Sequence, residues 1–150
     1  MKFSIPIAAL AMVLVSVVAP GDAHAVALTS DQVTLVRNIA KTPPVMAKVV
    51  EAALTREDAR YRAGGSGPDA FDCSGLVKWS FAQAGVKIKH GSANQIKQVT
   101  RISKKDLKPG DLVFFNTLKR QNSHVGIYVG ENKFIHAPAR GSGVRVDDMT

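Results

Sequence analysis

The sequence predicts an α+β domain, with helices packed against a central antiparallel sheet. Three observations carry this. Apolar residues in the first half recur at helical spacing. After Lys108-Pro109-Gly110-Asp111 the pattern changes to short runs rich in branched and aromatic residues, separated by turn signals. The two kinds of element come in blocks, helices first and strands after, which is the order of an α+β unit. A chain of 150 residues fits one domain.

Taken in order, the chain opens with Lys2 ahead of a mostly apolar run from Ile5 to Ala19, and Ala23-His24-Ala25 then gives an A-x-A pattern. Residues 1–25 read as a secretory signal peptide removed after Ala25. The alternative is a membrane anchor, but the run is shorter than the roughly 20 residues that span a bilayer. Residues 26–150 are then expected to form a single exported, monomeric domain with a helical amino-terminal arm and no integral membrane segment. "LTSDQVTLVRNIAK" supplies that arm. "PPVMAKVVEAALTREDARY" reads as a helix with Pro44 in its first turn and an apolar stripe at Val45, Val49, Ala52 and Ala53. "RAGGSGPDAF" is a glycine-rich loop. From Cys73 to Ala84 the period is helical again, and Gly85 ends it. "SANQIKQV" opens a short helix, with Ser92 and Gln95 at capping-box spacing. "DLVFF", "HVGIYVG", "KFIHA" and "GVRV" are the strands.

The net charge is +8 at pH 7, and it survives loss of residues 1–25, which removes only Lys2 and Asp22 from the balance. Such a charge favours an anionic partner. The basic residues are scattered without a dense run, which argues against nucleic acid. For an exported protein, anionic wall polymers or a membrane surface fit better.

Cys73 is the only cysteine. It has no internal disulfide partner, so in an oxidising compartment it is buried and inert, paired with another chain, or kept for reactivity. Positions 73, 77, 81 and 84 share one apolar helical stripe, so the thiol sits in the first turn and points toward the sheet. There the free N–H groups and the helix dipole favour a thiolate, and Asp72 is placed to cap the helix. Gly75 leaves room beside the thiol or serves close packing.

A cysteine nucleophile needs a base. His90 ends a Lys-Ile-Lys-His stretch and reads as exposed. His124 opens "HVGIYVG", sharing a sheet face with Gly126, Tyr128 and Gly130, which leaves space for an approaching group. His136 lies on the next strand, where it could hold His124 in the right tautomer. A zinc site built on Cys73, His124 and His136 is a rival, but spacings of 51 and 12 residues match no common zinc pattern.

"YRAGGSGPDAFDCSGLVKWSF", "SANQ", "LKPGDLVFF" and "SHVGIYVGENKFIHAP" occur in this order and together resemble the NlpC/p60 family of cell-wall cysteine peptidases. The resemblance covers most of residues 45–147. It implies a papain-like domain with the nucleophile at a helix amino terminus, cutting peptidoglycan stem peptides, typically between D-glutamate and meso-diaminopimelate. It implies Cys73 as nucleophile, His124 as base and His136 as the orienting residue, with no metal or organic cofactor. Tyr61 matches a tyrosine near thiol and substrate. Asp72, Ser74 and Ser92 are expected beside it in the substrate-binding cleft, and Asp111 in a structural turn. Similar domains continue past "GVRV" with an aromatic and basic segment, a departure that concerns the last strand and not Cys73, His124 and His136. Two rivals remain: another cysteine amidase or acyltransferase on this fold, and a wall-binding protein without activity.

Overall fold

The computed structural model describes residues 42–117 and 119–150. The expected signal peptide and helical arm lie outside them. The domain is α+β. Helix α1 (Pro44–Leu54) leads to two short parallel strands, β1 (Arg60–Tyr61) and β2 (Ala70–Phe71). Then come α2 (Cys73–Gln83), the single turn α3 (Ser92–Gln95) and two 3₁₀ turns at Ile96–Gln98 and Lys104–Asp106. The sheet follows: β3 (Leu112–Phe115), β4 (His124–Gly130), β5 (Lys133–His136) and β6 (Arg145–Asp148). Its order is β3-β4-β5-β6, antiparallel throughout.

Pro44 starts α1 because its missing N–H costs nothing in a first turn. The apolar stripe is rotated from the expected one. Val49, Val50 and Ala53 are fully buried with Met46 beside them, while Val45 is 45% exposed. Spacings of three and four residues join Met46 to that set, so it is the true helical face. Alternation on β4 sends Val125, Ile127 and Val129 into the core, where they meet α1 and α2 through Val49, Leu76, Val77 and Phe81. The opposite face of the sheet carries His124, Gly126, Phe134 and His136.

The glycine-rich stretch is more ordered than a plain loop, since β1 and β2 clamp its ends in register. A Cβ on Gly75 would collide with the Gly65 carbonyl oxygen. The room at Gly75 is therefore filled by loop backbone, which presses against the first turn of α2.

Candidate active site

Cys73 begins α2, and Asp72 caps it. Asp72 Oδ1 accepts the Gly75 N–H at 2.7 Å and the Ser74 hydroxyl at 3.0 Å, and Oδ2 accepts the Gly64 N–H at 2.9 Å. His90 Nε2 bridges both oxygens at 2.9 and 3.0 Å. Five contacts fill the four or so lone-pair sites of a carboxylate. Asp72 thus anchors the helix start and its loop, and His90, expected to be exposed, is half-buried as part of that anchor. Burial works to raise the Asp72 carboxyl, but the hydrogen bonds from His90, Gly75 and Ser74 outweigh it and hold it below its ordinary value.

Ser74 is also absorbed internally, being buried with its hydroxyl on Asp72. The Ser92 hydroxyl donates to the Asn122 carbonyl at 2.7 Å rather than capping α3, whose N-cap is Gly91. Fully buried Gln95 donates to the carbonyls of Ser74 and Lys89, both at 2.9 Å, so the expected capping box is instead a tie between α3 and α2. Of the four residues expected to touch substrate, Asp72, Ser74 and Ser92 have these internal partners, while Tyr61 has Cys73 and Asp72 as titratable neighbours. Burial, then the neighbouring Cys73 and Asp72, push its phenol above the ordinary value.

The backbone N–H groups of Val125, the residue after His124, and of Ser74 and Cys73 lie close enough to the Cys73 sulfur to favour its anion. The last two are amides that a helix start leaves without carbonyl partners. Burial nevertheless raises the thiol above its ordinary value, and the Asp72 charge adds to this. Burial, reinforced by His136, lowers His124 to about 4. The resting pair is a neutral thiol and a neutral imidazole, not the thiolate that the helix dipole alone favours.

His124 Nε2 lies 2.7 Å from His136 Nδ1, and His136 Nε2 lies 2.8 Å from Asp147 Oδ2. Arg145 Nε donates to both Asp147 oxygens at 3.0 Å. Hydrogen-bond complementarity then assigns every proton. The carboxylate only accepts, so His136 carries its proton on Nε2 and accepts on Nδ1. His124 must then donate from Nε2, which leaves the lone pair on its Nδ1 free to act as a base. Burial pushes His136 down against the upward pull of Asp147. For Asp147 itself, burial works upward, but the bonds from His136 and Arg145 prevail and hold it low.

Asp147 was missed in the sequence because the last strand was read at "GVRV", whereas β6 spans Arg145–Asp148. The pairs His136↔Arg145 and Phe134↔Asp147 place Arg145 and Asp147 on the histidine face. The alternating Arg145-Val146-Asp147 was the available signal. The space expected beside Gly126 is also taken: a Cβ there would meet the Phe134 ring at 2.6 Å and His136 Cβ at 3.3 Å. Phe134 packs against His136 with centroids 4.5 Å apart and the rings tilted by 54°, which wedges that imidazole in place. Among the described residues, no group of three or more His, Cys, Asp or Glu side chains converges as a metal-ligand set.

The site thus offers a base with a free ring nitrogen and, at the thiol, two amide donors that have no carbonyl partner. Comparison with known proteins identifies the family. The NlpC/P60 family model matches residues 58–150. A probable endopeptidase of Mycobacterium tuberculosis is 43% identical over 101 residues, covering 67% of this chain and 26% of that protein. The bifunctional muramidase/DL-endopeptidase CwlT of Bacillus subtilis is 40% identical over 104 residues, covering 67% of this chain and 31% of that protein. The solved structure of NlpC1 from Trichomonas vaginalis superposes with a TM-score of 0.67 at 30% identity, covering 72% of this chain and 40% of that one. The chain thus spans about a quarter to a third of the length of these curated relatives. On the family match and the fold together, this chain belongs to the NlpC/P60 family.

Proposed function

We propose that the protein is a cysteine endopeptidase that hydrolyses peptidoglycan stem peptides, with the D-glutamyl–meso-diaminopimelate bond as its target. One observation carries the reading: the hydrogen-bond chain Asp147–His136–His124 leaves one basic nitrogen free on the residue whose neighbour, Val125, brings its backbone N–H to the Cys73 thiol at a helix start. The DL-endopeptidase named among the relatives supports the choice of bond.

In the reaction, His124 Nδ1 takes the Cys73 proton as the sulfur attacks the amide carbonyl. The carbonyl carbon becomes a tetrahedral centre, its C=O π pair moving to an oxyanion that is received by the N–H groups of Cys73 and Ser74. The imidazolium proton passes to the leaving amine, and the C–N bond breaks to give a thioester. Water, deprotonated by His124, attacks the thioester and restores the thiol. A base held near 4 is a strong acid once protonated, which favours the transfer to the amine. His136 keeps His124 in the reactive tautomer, and Tyr61 contributes to the wall of the cleft.

The expected signal in residues 1–25 supports a place outside the cytoplasm, at the cell wall, and the charge of +8 supports attraction to anionic wall polymer. No helix among the described residues is long and apolar enough to cross a membrane. The test is digestion of purified muropeptides followed by mass spectrometry, beside the Cys73→Ala variant. Cleavage at the proposed bond by the wild type alone is expected. Turnover by Cys73→Ala, or binding to sacculi without cleavage by the wild type, would overturn the reading.

A further inference from the structure

A groove of about 620 Å³ lies beside the candidate active site, within the size range of ligand clefts, yet neither Cys73 nor His124 lines it. Its floor is β3, all four residues of which contribute. Its far wall is the segment between α3 and β3, where Val99 and Ile102 are 37% and 47% exposed. The domain leaves this apolar surface uncovered.

The floor is also an open sheet edge. The Tyr128 N–H donates to the Asp111 carbonyl at 2.8 Å. Alternation along an antiparallel ladder then turns the backbone groups of Asp111, Val113 and Phe115 toward β4, and those of Leu112 and Phe114 outward. β3 is the end strand of the sheet, so no strand pairs with that side among the described residues. Such an edge is a template for an added extended chain.

The charge on the walls is one-sided. Arg101 and Lys104 line the groove, and no aspartate or glutamate does. One end abuts the catalytic constellation: Phe115 pairs with His124 in the ladder, with ring centroids 6.2 Å apart, and Asn122 lies two residues before His124.

We infer that this groove binds an extended, acidic peptide arm of the substrate, remote from the bond that is cut. Its backbone pairs with the outward groups of Leu112 and Phe114, and its carboxylates meet Arg101 and Lys104. At about 3.3 Å per residue, reaching from Phe115 to Leu112 takes an arm of about three or four residues. The inference rests on the peptidase reading and deepens it. A cross-linked stem peptide has a second arm that reaches the groove, whereas a single stem peptide does not, so cross-linked substrate is preferred.

The test uses the full chain carrying Cys73→Ala, labelled with ¹⁵N and titrated with a purified cross-linked muropeptide and, separately, with the uncross-linked one. The Leu112 and Phe114 amide resonances are expected to shift with the cross-linked peptide only, and much less when Arg101→Gln and Lys104→Gln are added. In the otherwise wild-type enzyme, this double variant is expected to lower the kcat/KM ratio of cross-linked over uncross-linked substrate about 3- to 10-fold, the scale of two rim charges. Shifts confined to the surroundings of Cys73 and His124 for both peptides would overturn the inference, and so would an unchanged ratio. Leu112 and Phe114 shifts that follow protein concentration without peptide would identify a second copy as the occupant and overturn it as well. Wild-type cleavage without these shifts sinks the groove and spares the peptidase reading. Absence of any cleavage sinks the peptidase reading, and the shifts then judge the groove alone.

Discussion

Replacing Asp147 by asparagine tests the proton assignment of the whole relay. Arg145 Nε donates to both Asp147 oxygens at 3.0 Å, and His136 Nε2 donates to one of them at 2.8 Å. An asparagine keeps the shape but owns one acceptor and one donor. The guanidinium always donates, so it draws the amide oxygen, and the NH₂ group turns to His136. His136 must then accept on Nε2 and carry its proton on Nδ1, from which it donates to His124 Nε2. His124 is left with its proton on Nδ1, facing the thiol, and has no base to offer. A hydrogen bond to a charged group exceeds a neutral one by about 1–2 kcal/mol. Arg145 is 53% exposed, which lowers this to about 1 kcal/mol, or roughly 5-fold in the tautomer ratio. Loss of the carboxylate charge that steadies the imidazolium costs about 1–2 kcal/mol more. Together kcat/KM falls about 30- to 150-fold with KM little changed, since Asp147 acts through His136. Asp147→Ala loses the charge but leaves the tautomers free to exchange, so it falls only about 10-fold. The smaller side chain is therefore the milder change, and adding Arg145→Ala to Asp147→Asn restores part of the activity. Chromatographic kinetics on a purified muropeptide measures all four proteins. The relay reasoning fails if Asp147→Asn matches or exceeds Asp147→Ala.

Four further outcomes follow from the same geometry. The base must be neutral, and burial lowers His124 to about 4 from 6.5, so the acid limb of kcat/KM lies near pH 4; a limb near 6.5 would contradict this. Because the unfolded chain protonates this histidine while the folded one does not, His124 also makes stability fall as pH drops from 6.5 toward 4, which urea titrations at several pH values will read. Gly75→Ala drives a methyl group into the Gly65 carbonyl and costs about 2–3 kcal/mol in denaturant unfolding, whereas a loss under 0.5 would mean that the loop yields freely. His90→Ala removes the bridge to Asp72 and costs about 1 kcal/mol, less than Asp72→Ala, which also strips the Gly75 and Gly64 amides; no loss in His90→Ala would show that His90 is not an anchor.

Much of the framework was legible because it depends on local chemistry. Asp72 before Cys73 marks a helix start, and Gly85 after the last periodic residue marks its end; α2 spans Cys73–Gln83 with Asp72 as N-cap. The strand His124–Gly130 matches the expected run residue for residue, since alternation of valine and isoleucine with small or polar residues permits only one inward face. What failed was local in form but decided at a distance. Ser92 and Gln95 have capping-box spacing, yet Asn122, and then Ser74 and Lys89, offered carbonyls that a four-residue helix could not. Gly75 and Gly126 looked like open space, and the fold filled one with loop backbone and the other with Phe134.

By itself the sequence determined the order of elements, the helix that starts at Cys73 and the two strands that carry His124 and His136, because period, caps and turns act over a few residues. Tertiary structure alone decided that Asp147 and Arg145 complete the relay, that Asp72 and His90 brace the helix start, and that burial keeps the thiol and imidazole neutral. Those outcomes depend on which distant groups share a desolvated space, and spacing along the chain does not encode that.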